Sequence, residues 1–138
     1  ITINRGTADG IKIGQAVLSP EGVVVGKVHE VSPASCSIIL LTDTHSTILA
    51  RVNNTEHSPG LIRGQQGIGL QMELLPRHDV IRTGDTVVTS GAEERIPINL
   101  PIGTIDQVAT RQGDVFQNAT VTTSIIAFRL TAVAIVLR

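Results

Sequence analysis

Ile11-Lys12-Ile13-Gly14-Gln15-Ala16-Val17-Leu18-Ser19 returns seventy positions later as Ile81-Arg82-Thr83-Gly84-Asp85-Thr86-Val87-Val88-Thr89. Each copy runs apolar, basic, any residue, Gly, polar, small, then an apolar or β-branched pair closed by a hydroxyl. A break marked by Gly and Pro follows, and then a second shared phrase: Val25-Gly26-Lys27-Val28 in one copy, Ile102-Gly103-Thr104-Ile105 in the other. The second break is longer by about seven residues. Self-similarity at a fixed spacing outranks local propensity because it sets the architecture. Two copies do not make a solenoid, so the expectation is two small β units built on one plan.

Composition agrees with strands in both copies. Val, Ile and Thr supply 47 of the 138 residues, and their branched side chains suit a pleated strand and resist helix. Thirteen Gly and six Pro punctuate the chain at roughly strand-plus-turn intervals, the pattern of a sandwich or barrel. A chain of this length buries roughly two thirds of its extended surface, enough for cores without staples. Those cores must be aliphatic, since there are two Phe and no Trp or Tyr.

The formal net charge is −1 and is spread evenly, leaving no basic stripe for phosphates and no acidic tail. The scarcity of rings to stack on weighs further against single-stranded nucleic acid, so nucleic acid is a poor reading of this pattern. Cys36, the single cysteine, reads as a small buried hydrophobe. No run of 18 apolar residues and no signal-peptide pattern occurs. The chain starts at Ile1 without Met, so a longer polypeptide is expected, with any anchor or address outside these residues.

Along the chain, Ile1 to Asn4 is an alternating opening strand. Gln15 to Ser19 and Val23 to Val31 are strands joined by the β-turn Ser19-Pro20-Glu21-Gly22. Ser37 to Thr42 is apolar throughout and reads as buried on both faces, followed by Thr47 to Val52. Leu61-Ile62-Arg63 and Gly69 to Leu75 form a hairpin about Gly64-Gln65-Gln66-Gly67. In its second arm, alternation places Leu70, Met72 and Leu74 on one side and Gln71 and Glu73 on the other. Strands are expected near 85–89, 102–108, 115–123 and 131–137, and Ser124 to Leu130 is the one plausible short helix. Pro76 to Asp79 is the best boundary, giving units at 5–76 and 77–138. The opening strand 1–4 is then free to cross over and pair with the final strand, which should be covered on both sides.

Chemistry is absent from the pattern. His29, His45, His57 and His78 are isolated; His45 lies two residues from Asp43, but no second cluster with ligand spacing follows. No Gly-x-Ser-x-Gly or Gly-Asp-Ser-Gly run supplies a nucleophile with an oxyanion hole. No catalytic, metal or cofactor-binding residues are therefore assigned. Gly26 and Gly103 sit mid-strand at equivalent points, where Gly marks a bulge or a sharp barrel bend, and they are assigned a structural role.

The phrases themselves carry a resemblance. Ile1-Thr2-Ile3-Asn4-Arg5-Gly6 followed by Gly10 and Gly14, then Gly22 to Val28, then Leu40-Leu41-Thr42-Asp43, resembles the extracytoplasmic core of the rod shape-determining protein MreC family. Gly84 to Gly91 and Pro101-Ile102-Gly103-Thr104-Ile105 are similar to that family's two most recognisable phrases, and the order holds across almost the whole chain. The resemblance implies an all-β fold of two barrels, each of about six strands, comparable to those of trypsin-like proteases but without their active site. It also implies a preceding membrane helix and coiled coil, and a location outside the cytoplasmic membrane.

Its further implication is a non-enzymatic scaffold of the cell-elongation machinery. Partners would be a class B penicillin-binding transpeptidase and other elongation proteins; self-association is compatible with this. The runner-up function is a trypsin-like serine hydrolase or a degenerate relative of one, and a ligand-binding small-barrel module comes third. One departure is Ile96-Pro97-Ile98-Asn99-Leu100, which stands where the family often has an aromatic-Pro-x-Gly turn; Asn99 can replace a Gly that needs positive φ.

The loop from Ala92 to Pro101 is the main insertion that distinguishes the copies, and loops on rigid scaffolds concentrate interaction residues. Arg95, Ile96, Ile98 and Leu100 are its candidate partner-binding residues. The competing reading is that the three aliphatics plug an open barrel end as core.

Overall fold

The computed structural model describes residues 1–66, 69–123 and 134–137. Its strands are β1 (Thr2–Ile3), β2 (Ala16–Leu18), β3 (Val24–Val31), β4 (Cys36–Leu40), β5 (Thr47–Val52), β6 (Pro59–Gly64), β7 (Leu70–Pro76), β8 (Thr86–Thr89), β9 (Pro101–Ala109), β10 (Phe116–Thr122) and β11 (Ala134–Ile135). Among the described residues the only helical element is a single 3-10 turn at Thr7–Asp9, so the fold is all-β. No helix among them is long and apolar enough to cross a membrane. The expected helix at 124–130 lies outside the described residues.

Two sheets form. Strands β5 to β10 close a six-stranded barrel in the order β10-β7-β6-β5-β8-β9, and the remaining strands make a five-stranded sheet, β1-β4-β3-β2-β11. A sixth strand for the first unit, expected from the resemblance, is not among the described residues. The pairing also corrects the division of the chain. β5, β6 and β7 precede Pro76 yet hydrogen-bond within the same barrel as β8, β9 and β10, so the chain changes sheet between Leu40 and Thr47. Pro76 to Asp79 is only a tight connection inside the barrel, with Asp79 N–H donating to the Pro76 carbonyl at 3.2 Å.

The crossover runs the other way from expectation. β1 pairs with β4 through Thr2↔Ser37 and Ile3↔Cys36, whereas β11 returns to the first sheet and pairs with β2 through Ala134↔Leu18 and Ile135↔Val17. Nor is β11 covered on both sides. Ala134 is exposed and Leu137 beyond it is 60% exposed. β4 likewise is not enclosed on both faces, since Cys36 and Ile38 on one side are buried while Ser37 and Ile39 on the other are half-buried.

The duplication is real at the level of single hydrogen bonds. Gly14 and Gly84 have φ of 93° and 94°, a region only glycine enters freely. Their N–H groups donate to Val28 (2.9 Å) and Ile105 (2.8 Å). The side-chain oxygens of Gln15 and Asp85 accept from the Lys12 and Arg82 N–H groups at 2.8 and 2.9 Å. Val17 then pairs with Gly26 and Val87 with Gly103, and one residue later both ladders slip through a bulge. The closing hydroxyls match as well: Ser19 Oγ accepts from Val23 N at 3.3 Å, Thr89 Oγ1 from Leu100 N at 2.9 Å. The mapping extends outward, with β11 against β2 as β5 is against β8, and β1 against β4 as β7 is against β10.

The barrel interior is filled by Ile48, Ile62, Met72, Leu75, Val87, Ile96, Ile102 and Ile105, all buried, and this cluster includes Ala16 and Val24 from the first sheet. A second cluster, Ile11, Val17, Val25, Val28, Cys36 and Ile38, occupies the first sheet itself. The sheet therefore lends residues to both cores, which joins the two units by apolar packing. Burying one such aliphatic side chain stabilises by about 1.5–3 kcal/mol.

Candidate functional site

The loop between β8 and β9, numbers 90–100, is where the two copies differ most, and its conformation starts from Thr89. That residue is fully buried; its hydroxyl donates to the Pro97 carbonyl at 2.6 Å and accepts from Leu100 N–H. Asn99 N–H returns to the Thr89 carbonyl at 3.0 Å. Asn99 has φ 70°, matching Gly22 at 85° in the shorter first copy, so the expected Asn-for-Gly replacement holds. The Arg51 guanidinium donates to Asn99 Oδ1, fixing the turn to β5. The loop is an ordered strap.

Its far end ties the two sheets together. Glu93 Oε1 accepts from Lys27 Nζ of β3 at 2.8 Å, and Oε2 accepts from the Leu49 N–H of β5 at 2.9 Å. One carboxylate thus grips both units, and a Cβ on Gly14 would lie 3.9 Å from Arg95 Cδ. The four candidate partner residues separate in consequence. Ile96 is 1% exposed within the barrel core, so the structure overturns its assignment as a contact residue: the barrel end needs an apolar plug. Leu100 packs against the same core. Arg95 is half-buried beside Gly14. Ile98, over Gly91, is 50% exposed.

Gly26 and Gly103 are enclosed by neighbouring strands. An added Cβ would meet the Ile39 carbonyl oxygen at 2.4 Å in one case and that of Thr122 at 2.2 Å in the other. Neither has positive φ, so the requirement is room for a neighbouring backbone.

Two further polar clusters are committed to structure. Ser58, fully buried, donates to Asp79 Oδ2 at 2.7 Å and accepts from Asn54 Nδ2 at 2.9 Å, latching the Pro76 turn to the β5–β6 loop. Gln117 Nε2 donates to the Pro76 and Asp79 carbonyls at 2.8 and 2.9 Å. A cleft of 860 Å³ runs along β4 past Ile1, His29, Leu40, Asp43 and His45. In it the His45 backbone N–H, donated to Asp43, holds that carboxyl below its usual range. No three His, Cys, Asp or Glu among the described residues are placed to hold a metal. Cys36 is a free buried thiol whose pKa burial pushes up.

One signal escaped the sequence reading. Leu74, placed by alternation on the side of Leu70 and Met72, is 50% exposed, and Leu75 takes the interior position. The ladder with β10 slips between Gln117 and Ala119, a β-bulge that breaks the alternation.

Known proteins share this arrangement. The family profile described as "Rod shape-determining protein MreC, barrel core" matches residues 1–137. The cell shape-determining protein MreC of Listeria monocytogenes is 34% identical over 123 residues, covering 86% of this chain and 41% of that protein. The Escherichia coli protein of the same name is 33% identical over 111 residues, covering 78% and 29%. The chain thus spans less than half the length of these relatives. Among solved structures, MreC from Listeria monocytogenes superposes with a TM-score of 0.88 at 30% identity, over 97% of this chain and 65% of that one. A chain from the complex between penicillin-binding protein PBP2 and MreC of Helicobacter pylori gives a TM-score of 0.75 at 16% identity, over 90% and 76%, a likeness of fold.

Proposed function

The chain belongs to the rod shape-determining protein MreC family, and on that premise we propose that it is the extracytoplasmic core of a non-enzymatic scaffold of the cell-elongation machinery. It works outside the cytoplasmic membrane through protein–protein contacts, held there by an anchoring segment beyond these residues. The observation that carries the reading is the match of the barrel-core profile across residues 1–137, on a fold in which the Thr89 and Ser58 hydroxyls and the Glu93 carboxylate tie loops together. A solved relative is a complex of MreC with a penicillin-binding protein, which supports a class B penicillin-binding transpeptidase as partner here. Other elongation proteins and a second copy of the chain are further partners on this reading. Ile98, half exposed, offers the part of the 92–101 loop most open to contact, and Arg95 and Leu100 are half-buried.

Biolayer interferometry with the ectodomain of the transpeptidase from the same bacterium tests the partnership. Saturable binding by the folded chain is expected, and its absence at tens of micromolar would remove the partner. An active-site-directed serine reagent decides the enzymatic alternative, since stoichiometric labelling of the folded protein would overturn the scaffold reading.

A further inference from the structure

Alternation along Leu70-Gln71-Met72-Glu73-Leu74-Leu75 would direct Leu74 into the barrel beside Leu70 and Met72. The bulge opposite Gln117 to Ala119 instead seats Leu75 inside, at 0% exposure, and turns Leu74 out to solvent. To do this Leu74 takes φ 62°, a left-handed conformation uncommon for any residue other than Gly, Asn or Asp. Glycine would hold the same bulge without strain, so the leucine side chain is not there for the backbone. Bulges re-aim side chains, and a strained outlier that displays an apolar group points to use of that group.

The surroundings extend the display. Phe116 pairs with Pro76 across β10 and β7 and is 47% exposed, and Val115 next to it is 75% exposed. Together with Leu74 they give an apolar area on the outer wall of the barrel. At its rim, Arg77 N–H donates to the Val115 carbonyl at 3.2 Å, which sets the start of the arginine beside the patch. Its Nε is buried with no hydrogen-bond partner, and its guanidinium makes no ion pair among the described residues. A cation with no ion pair among the described residues, beside exposed apolar groups, is complementary to an apolar segment bearing a carboxylate.

We propose that Leu74, Phe116, Val115 and Arg77 form a docking surface for an apolar, carboxylate-bearing segment of the penicillin-binding transpeptidase. This rests on the partnership proposed above and adds a contact separate from Ile98. The test is interferometry of the transpeptidase ectodomain against the parent chain and the variants Leu74→Gly, Phe116→Ser and Arg77→Glu, with a thermal melt for each. Each variant should bind about tenfold more weakly or worse, as expected for loss of an interface anchor. Leu74→Gly should melt at or above the parent temperature because it releases the left-handed strain. If all three bind like the parent, this surface is overturned and the partnership stands; if the parent itself does not bind, both fall. Should Leu74→Gly melt lower, its side chain is structural. Phe116→Ser and Arg77→Glu then decide, parental affinity in both overturning the surface and weakened binding with unchanged melting supporting it.

Discussion

A methyl group on Gly26 would sit 2.4 Å from the Ile39 carbonyl oxygen, and one on Gly103 2.2 Å from that of Thr122. No rotamer change relieves either clash, because the obstacle is backbone in a paired strand. Gly26→Ala and Gly103→Ala should each destabilise by about 1–3 kcal/mol, the range for overpacking a well-filled site, with Val worse. Gly113→Ala, at φ 88° with nothing near its Cβ position, meets only local backbone strain and serves as the comparison. Urea unfolding measures this directly, and parental midpoints for both strand variants would refute close approach as the reason for glycine. The two positions were legible from the sequence because duplication set them in register. A bulge was one of two readings of a mid-strand glycine, but its place one residue away was not legible, since a slip in pairing depends on a partner strand that no local pattern names. Asn99 was legible too: its side chain suits positive φ, and it stands where the resemblance expects the Gly of an aromatic-Pro-x-Gly turn.

Elements show how far periodicity reaches. β8, β9 and β10 lie within a residue or two of where alternation and the repeat place them. β7 departs because Leu74 and Leu75 are chemically equal, so only the register with β10 chooses which faces inward. The 92–101 loop was ambiguous for a related reason: Ile96, Ile98 and Leu100 alternate with polar or cyclic residues, and either a plug or a display fits. Geometry divides them, with Ile96 in the core and Ile98 half exposed. Ile96→Ser should cost about 2–5 kcal/mol, as for deletion of a buried aliphatic side chain. Ile98→Ser should stay within about 0.5 kcal/mol of the parent, as exposed substitutions usually do. Equal losses in a denaturant titration would contradict this division.

At the scale of the molecule, two units were legible and their membership was not. A duplicated phrase suggests two consecutive units, and Pro76 to Asp79 has the composition of a linker. Strand pairing is nonlocal, however, and here the chain leaves the first sheet after β4, completes the whole barrel, and returns as β11. The first sheet is consequently built from both ends of the described chain, with β1 and β11 at its opposite edges. Its two faces feed different cores, Ala16 and Val24 joining the barrel cluster while Val17 and Val25 join the other. Removal of 134–138 should therefore act on the first sheet before the barrel. The deletion takes away the Ala134↔Leu18 and Ile135↔Val17 pairs and the bond from Val136 N–H to the Ala16 carbonyl at 2.9 Å. It leaves the barrel ladder closed. Hydrogen exchange is the suitable probe, because it resolves opening free energies segment by segment. Protection should fall at β2 and the adjoining part of β3 and persist in β5, β6 and β7. Uniform loss across the barrel would mean that the returning strand supports the whole molecule, and unchanged protection in β2 would mean that it supports neither.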